Sequence, residues 1–182
     1  MPRIEPVSPP YSERVTASFE TIMPEGAEPL GIFRVLAHNP RVLERVVRGG
    51  LLDRGAVSIR HRELVILRTC ALCKAEYEWG VHARVFGAKA ALDDDALRAT
   101  WTDGSRWSGW DGASRLVLRL TEALHQTNTI DDALHAELAA HFANDARIEL
   151  VVLAGLYHAI AYVVNVFEVP LEAFSYPAPP SE

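Results

Sequence analysis

Residues 63–72 read Glu63-Leu64-Val65-Ile66-Leu67-Arg68-Thr69-Cys70-Ala71-Leu72. On a helix that turns about 100° per residue, Cys70 falls about 20° to one side of Glu63 and Leu67 about 40° to the other. Leu64, Val65, Ile66 and Leu72 fill the remaining directions. A helix that is apolar all round packs inside other helices, so this stretch predicts the centre of a helical domain.

The prolines set the limits of that domain. Seven of the 11 lie between positions 2 and 40 and four between 170 and 180, with none from Arg41 to Val169. Proline breaks helix interiors, so the gap permits an all-α body. Outward from the central stretch, Gly31 to Ala37 is a short apolar segment. Asn39 and Pro40 suit the N-cap and first turn of a helix that stops at Gly49-Gly50. Ser58 opens the central helix, and Glu76 to Ala90 forms the next. Asp93, Asp111, Asp131 or Asp132, and Asn144 are placed to cap four more, the last running to about Phe167. Trp101 to Gly112 is a Trp-rich loop that reads as an interface anchor or a substrate lid, the former preferred. The reading is one body, 25–173, between an extended N-terminal tail, 1–24, and a Pro-rich C-terminal tail, 174–182. Glu149-Leu150-Val151-Val152-Leu153 echoes Glu63-Leu64-Val65-Ile66-Leu67 without a repeating period.

The 182 residues fit one domain. A net charge of −6 without a Lys/Arg run argues against a nucleic-acid grip. The N-terminus shows no basic-then-apolar leader, and two cysteines make no disulfide scaffold, so a cytoplasmic location is expected. Leu150 to Val164, apolar except for His158, spans 15 residues. A bilayer crossing needs roughly 20, so a buried core helix and no membrane partner are expected.

Three groups of residues offer chemistry. Glu63 is either a partly buried carboxyl with a raised pKa, suited to proton transfer, or a first-turn acid that complements the helix dipole. Glu78 and His82, four apart, share a helix face between two apolar stripes and lean on Val85. A carboxylate there would fix the tautomer of the imidazole and raise its basicity. Cys70-Ala71-Leu72-Cys73 has dithiol spacing, but it lies inside an apolar helix, where burial keeps a thiol inert. A zinc site would need ligands beyond these cysteines, and no metal is expected. His158 reads as a hydrogen-bonded core residue, and His125, His135 and His141 as surface positions.

The stretches Arg62 to Arg68 and Cys73-Lys74-Ala75-Glu76-Tyr77-Glu78-Trp79-Gly80-Val81-His82 resemble the carboxymuconolactone decarboxylase family, which is grouped with the alkylhydroperoxidase AhpD proteins. Phe33 to Pro40 looks like that family's opening helix. Tyr157 with Asn165 to Pro170 looks like its closing one. The resemblance implies an all-α bundle, a homodimer, trimer or hexamer, and a turn near Cys73 to Ala75. It also implies a site formed by Glu63 and His82. The peroxidase branch carries C-x-x-C-x-x-x-H, but here its cysteine positions hold Ala75 and Glu78, and Cys70/Cys73 lie five residues early.

What the resemblance implies is a cofactor-independent decarboxylation, or a related proton transfer, on a small carboxylated lactone or keto acid. His82 would be the acid or base, Glu63 its partner and Glu78 its tuner. Arg68 or Arg84 would hold the substrate carboxylate. The alternatives are an antioxidant that uses Cys70/Cys73 and a non-catalytic small-ligand binder.

Overall fold

The computed structural model describes residues 2–180, so Met1 and the last two residues of the expected C-terminal tail lie outside it. Among the described residues the chain is all helical: α1 (Glu13–Ile22), α2 (Gly31–Leu36), α3 (Pro40–Arg48), α4 (Ile59–Leu72), α5 (Glu76–Phe86), α6 (Asp94–Trp101), α7 (Gly112–Thr127), α8 (Asp132–His141) and α9 (Asn144–Val166). One turn of 3-10 helix, Gly104–Arg106, lies between α6 and α7.

The central stretch forms α4, and all ten residues from Arg62 to Ala71 are buried. Helices α5, α6, α7 and α9 pack around it. Caps that the sequence announces start several of these helices. The side chains of Asn39, Ser58, Asp93, Asp111 and Asp131 each accept a backbone N–H from the first turn. The long helix differs, because Asn144 is its first residue and Ala143 stands at the N-cap without a side-chain bond.

The turn between α4 and α5, expected from the resemblance alone, has a local cause. Lys74 takes the left-handed conformation at φ 54°. Its N–H bonds Ala71 O at 3.0 Å, and Ala75 N–H bonds Cys70 O at 2.8 Å. This is a Schellman end with lysine in the place glycine usually takes, so no glycine marks it in the sequence. The next helix ends at Phe86, short of the expected Ala90, and residues 87–91 form a turn.

The N-terminal region is not extended throughout, because α1 interrupts it. No proline falls between Pro10 and Pro24, and Val15 and Phe19, one turn apart, enter the core. Residues before α1 are held by Arg3 N–H to Phe167 O at 2.9 Å and Val7 N–H to Arg34 O at 3.2 Å. The C-terminal segment lies along α5, where Tyr176 N–H bonds Gly80 O at 3.0 Å. A Cβ at Gly80 would approach Tyr176 O to 2.7 Å, so only glycine allows this contact.

The long helix α9 is half core. Leu150, Leu153, Tyr157, Ala161 and Val164 face inward, while Ile148, Val151, Val152, Tyr162 and Val166 are exposed. It is 23 residues long and apolar enough to cross a membrane by length and composition alone, yet its inner face packs on α4, α5, α7 and α8. The expectation of a buried core helix therefore holds for one face only.

Candidate active site

Helices α4, α5 and α9 send polar side chains to a common point: Arg62 and Glu63 from α4, Glu78 and His82 from α5, and Tyr157 from α9. Glu63, wholly buried on α4, accepts from His82 Nδ1 through Oε2 at 2.8 Å. Its other oxygen accepts from Arg62 Nε at 2.9 Å, and a second guanidinium N–H lies at 2.8 Å. Arg62 in turn donates to Leu52 O at 2.7 Å. On the far side of the imidazole, His82 Nε2 lies 3.0 Å from the Tyr157 hydroxyl and 3.4 Å from Glu78 Oε1. The ring packs edge-on to Tyr157 and at a tilt to Phe86.

Charge balance explains the state of the imidazole. Burial works against charge on His82, but the Glu63 carboxylate and then Glu78 outweigh it and raise the pKa to about 9. With His82 protonated, two carboxylates face one guanidinium and one imidazolium, and the buried group is neutral. Burial, followed by Glu78 and Glu63, pushes the Tyr157 hydroxyl well above its ordinary pKa. Tyr157 therefore remains a neutral hydroxyl that accepts from an imidazolium and can pass a proton onward.

This cluster opens on a cavity of about 1240 Å³. Glu78, His82 and Tyr157 are among its polar lining, with Arg34 and Glu172, and Phe33, Val85 and Ile160 are among its apolar lining. Glu78 Oε2 is buried and has no hydrogen-bond partner among the described residues. An unpaired buried carboxylate oxygen is costly, so the site lacks a donor that a ligand's O–H or N–H would supply. Arg41 and Arg45, exposed one turn apart on α3, stand at the rim.

Arg68 and Arg84 do not reach this space. Arg68 donates to Glu122 Oε1 at 2.9 Å and to Thr100 O at 3.1 Å, which fixes the loop beyond α6. Arg84 donates to Phe174 O at 2.9 Å and holds the C-terminal segment. One or the other was expected to bind substrate, but backbone carbonyls and the Glu122 carboxylate occupy their guanidinium groups instead. Neither Trp101, Trp107 nor Trp110 lines the cavity. The Trp loop packs on itself, with Trp110 buried and donating to Gly104 O at 2.8 Å and Trp107 against its ring. Ser105 donates to Glu122 through both N–H and Oγ. The loop is anchored within the chain, not shaped as a lid.

Both cysteines are free thiols. Cys70 is fully enclosed, and burial pushes its pKa well up. Cys73 is half-buried at the end of α4, also raised by burial, and its Sγ lies 3.6 Å from His158 Nδ1. Neither environment favours the thiolate that dithiol exchange needs.

The sequence reading singled out Glu63, His82 and Glu78, which the fold brings together, but not Arg62 and Tyr157, which join the same cluster, nor Arg41 and Arg45, which line the cavity. Arg62 passes for a helix-surface charge, yet it is buried, over the ring of Phe86. Tyr157 lies 75 positions from His82 with no pattern to link them. The i, i+4 spacing of Arg41 and Arg45 was the one signal available, since it places both on one face of α3.

No family model matches the chain. The uncharacterized protein YnjA of Escherichia coli (strain K12) is 31% identical over 113 residues, which cover 61% of this chain and 60% of that protein's length. Among solved structures, an uncharacterized peroxidase-related protein from Ralstonia eutropha JMP134, described as an alkylhydroperoxidase AhpD core, superposes with a TM-score of 0.82 at 13% identity, over 94% of this chain and 93% of that one. The debrominase Bmp8 superposes with a TM-score of 0.73 at 12% identity, over 93% of this chain and 92% of that one. Peroxidase-related and debrominase proteins share this architecture, so the fold alone does not select a reaction. The chain has the all-α fold of the AhpD-like, peroxidase-related proteins.

Proposed function

We propose that the chain is a cofactor-independent acid–base enzyme of the carboxymuconolactone decarboxylase type, acting on a small carboxylated lactone or keto acid. The observation that carries this reading is His82, held between Glu63 and Glu78 on the wall of a cavity. The bond from the substrate carbon to its carboxylate breaks, and CO2 leaves. The electron pair passes into the neighbouring carbonyl as an enolate. His82 returns a proton to the carbon through Tyr157, and the imidazole is reprotonated from solvent. Glu63 positions the ring, and Glu78 Oε2 accepts from a hydroxyl or enol of the substrate. Arg41 and Arg45 attract the substrate carboxylate at the rim. The apolar walls disfavour separated charge in the ground state and strengthen these contacts.

Carbon dioxide release from a panel of carboxylated butenolides and β-keto acids, with wild type and His82→Gln in parallel, tests the reading. Release by wild type and none by the variant supports it. Equal rates, or release from no member of the panel, count against it.

The same proposal places the protein in a reducing cytoplasm, where its two free thiols stay reduced. It also covers the exposed apolar side of α9 with a second copy of the chain. Light scattering should then report a dimer or larger assembly that Tyr162→Glu reduces to a monomer.

A further inference from the structure

A second polar cluster lies apart from the active-site cavity, where the α4–α5 turn, α7 and α9 meet. Cys73 Sγ, His125 and His158 each offer one ligand atom, and all three atoms lie within 4.8 Å of one another. His158 Nε2 is 3.2 Å from His125 Nδ1 and 3.8 Å from Cys73 Sγ. In a tetrahedral zinc site with the usual bond lengths, the N···N edge is about 3.3 Å and the S···N edge about 3.6 Å. Two edges of that tetrahedron are therefore already formed, and a small rotamer change would close the third.

We propose that Cys73, His125 and His158 bind a zinc-type divalent cation with three protein ligands and one open position. One thiolate with two imidazoles is a soft-to-borderline donor set, which suits zinc and not magnesium or calcium. A hollow of about 280 Å³ beside His158, with Asn128 and Tyr162 on its wall, admits a water as the fourth ligand. On binding, the Cys73 thiol releases its proton to solvent. The hydrogen bond between the two imidazoles gives way to two metal bonds: the ring that donated it moves its proton to its other nitrogen, so that both rings carry their proton on the nitrogen away from the ion.

The ion would tie three elements that are distant in sequence. Cys73 caps α4, His125 lies near the end of α7, and His158 sits two-thirds of the way along α9. Asn165 already reaches across to donate to Cys73 O at 2.8 Å, so the turn is positioned before the ion arrives. The site is independent of the Glu63–His82 pair, and its test needs no substrate.

Cobalt(II) titration of the reduced, full-length protein reads the site directly. One ion per chain, with thiolate-to-cobalt charge-transfer absorption and the visible bands of tetrahedral cobalt, is expected, and zinc should displace it. Loss of an outer-shell partner already weakens metal binding by about 10- to 100-fold. His125→Ala and His158→Ala should therefore each weaken binding by about 100-fold or more, and Cys73→Ser should abolish the charge-transfer band. Zinc should raise the Tm of wild type and not of these variants. Cys70→Ser should keep the band. Absence of a thiolate band in folded wild type, or its loss with Cys70→Ser instead of Cys73→Ser, overturns the proposal. Circular dichroism identifies any variant that fails to fold, and the wild-type titration alone then decides.

Discussion

Glu63 on α4 and His82 on α5, nineteen positions apart, meet through a 2.8 Å contact that is closed to solvent on the Glu63 side and reaches the cavity on the His82 side. A carboxylate that holds Nδ1 leaves Nε2 as the working nitrogen, and Nε2 faces Tyr157 and Glu78. The chemistry proposed for this chain follows from that polarity.

His82→Gln should lower turnover by about 100-fold or more, the usual contribution of a positioned general acid. Substrate binding should persist, because Arg41, Arg45 and the apolar walls are untouched. Steady-state kinetics with a carboxylated lactone, beside calorimetric binding, checks both parts.

Glu63→Gln should destabilise the fold more than it alters the cavity. Arg62 would keep a buried charge without its acid, and a broken buried pair costs about 3 kcal/mol or more. The His82 pKa should fall, since its first charge partner is gone. Urea unfolding and a histidine NMR titration read the two effects separately.

The pH dependence of stability has a defined sign. The His82 pKa in the fold, about 9, is above its ordinary 6.5, so the native state holds this proton more tightly than the unfolded chain does. Its stabilisation is fully present below about pH 6.5 and is lost as the pH rises through about 9. Denaturant midpoints should fall across that window in wild type by more than in His82→Gln.

Tyr157→Phe should separate proton passage from packing. The ring and its contact with His82 remain, and the loss of one hydrogen bond costs about 1 kcal/mol of stability. Turnover should fall by about tenfold or more with little change in KM. An unchanged rate would remove Tyr157 from the proton path.

The arginines provide a further contrast. Arg41→Ala and Arg45→Ala should raise KM. Arg68→Ala should leave KM unchanged but destabilise the fold, because Glu122, which also holds Ser105 of the Trp loop, loses its buried partner. Initial rates over a range of substrate concentrations, with thermal melts, distinguish the two kinds of arginine.

Much of the architecture was legible in the chain. The apolar circumference of 63–72 marked the central helix, and five side-chain caps marked helix starts. The α4–α5 turn was not legible locally, because Lys74 occupies the left-handed position without the glycine that would announce it. Helix α1 was hidden by the prolines around it. Within the site, Glu78 and His82 show as an i, i+4 pair, and Glu63 as an acid in an apolar setting. Tyr157 and the Cys73–His125–His158 cluster are brought together only by tertiary packing, which no local spacing records. Arg68 and Arg84 misled because sequence gives the charge of a side chain but not the carbonyl it will meet.

The most direct test follows the proton itself. Wild type and His82→Gln would be incubated with a carboxylated lactone or keto acid in D2O, and the product examined by NMR. The account predicts CO2 release by wild type, with one deuterium at the carbon that lost its carboxylate, and neither event above background with the variant. Deuterated product formed equally fast by His82→Gln would contradict it.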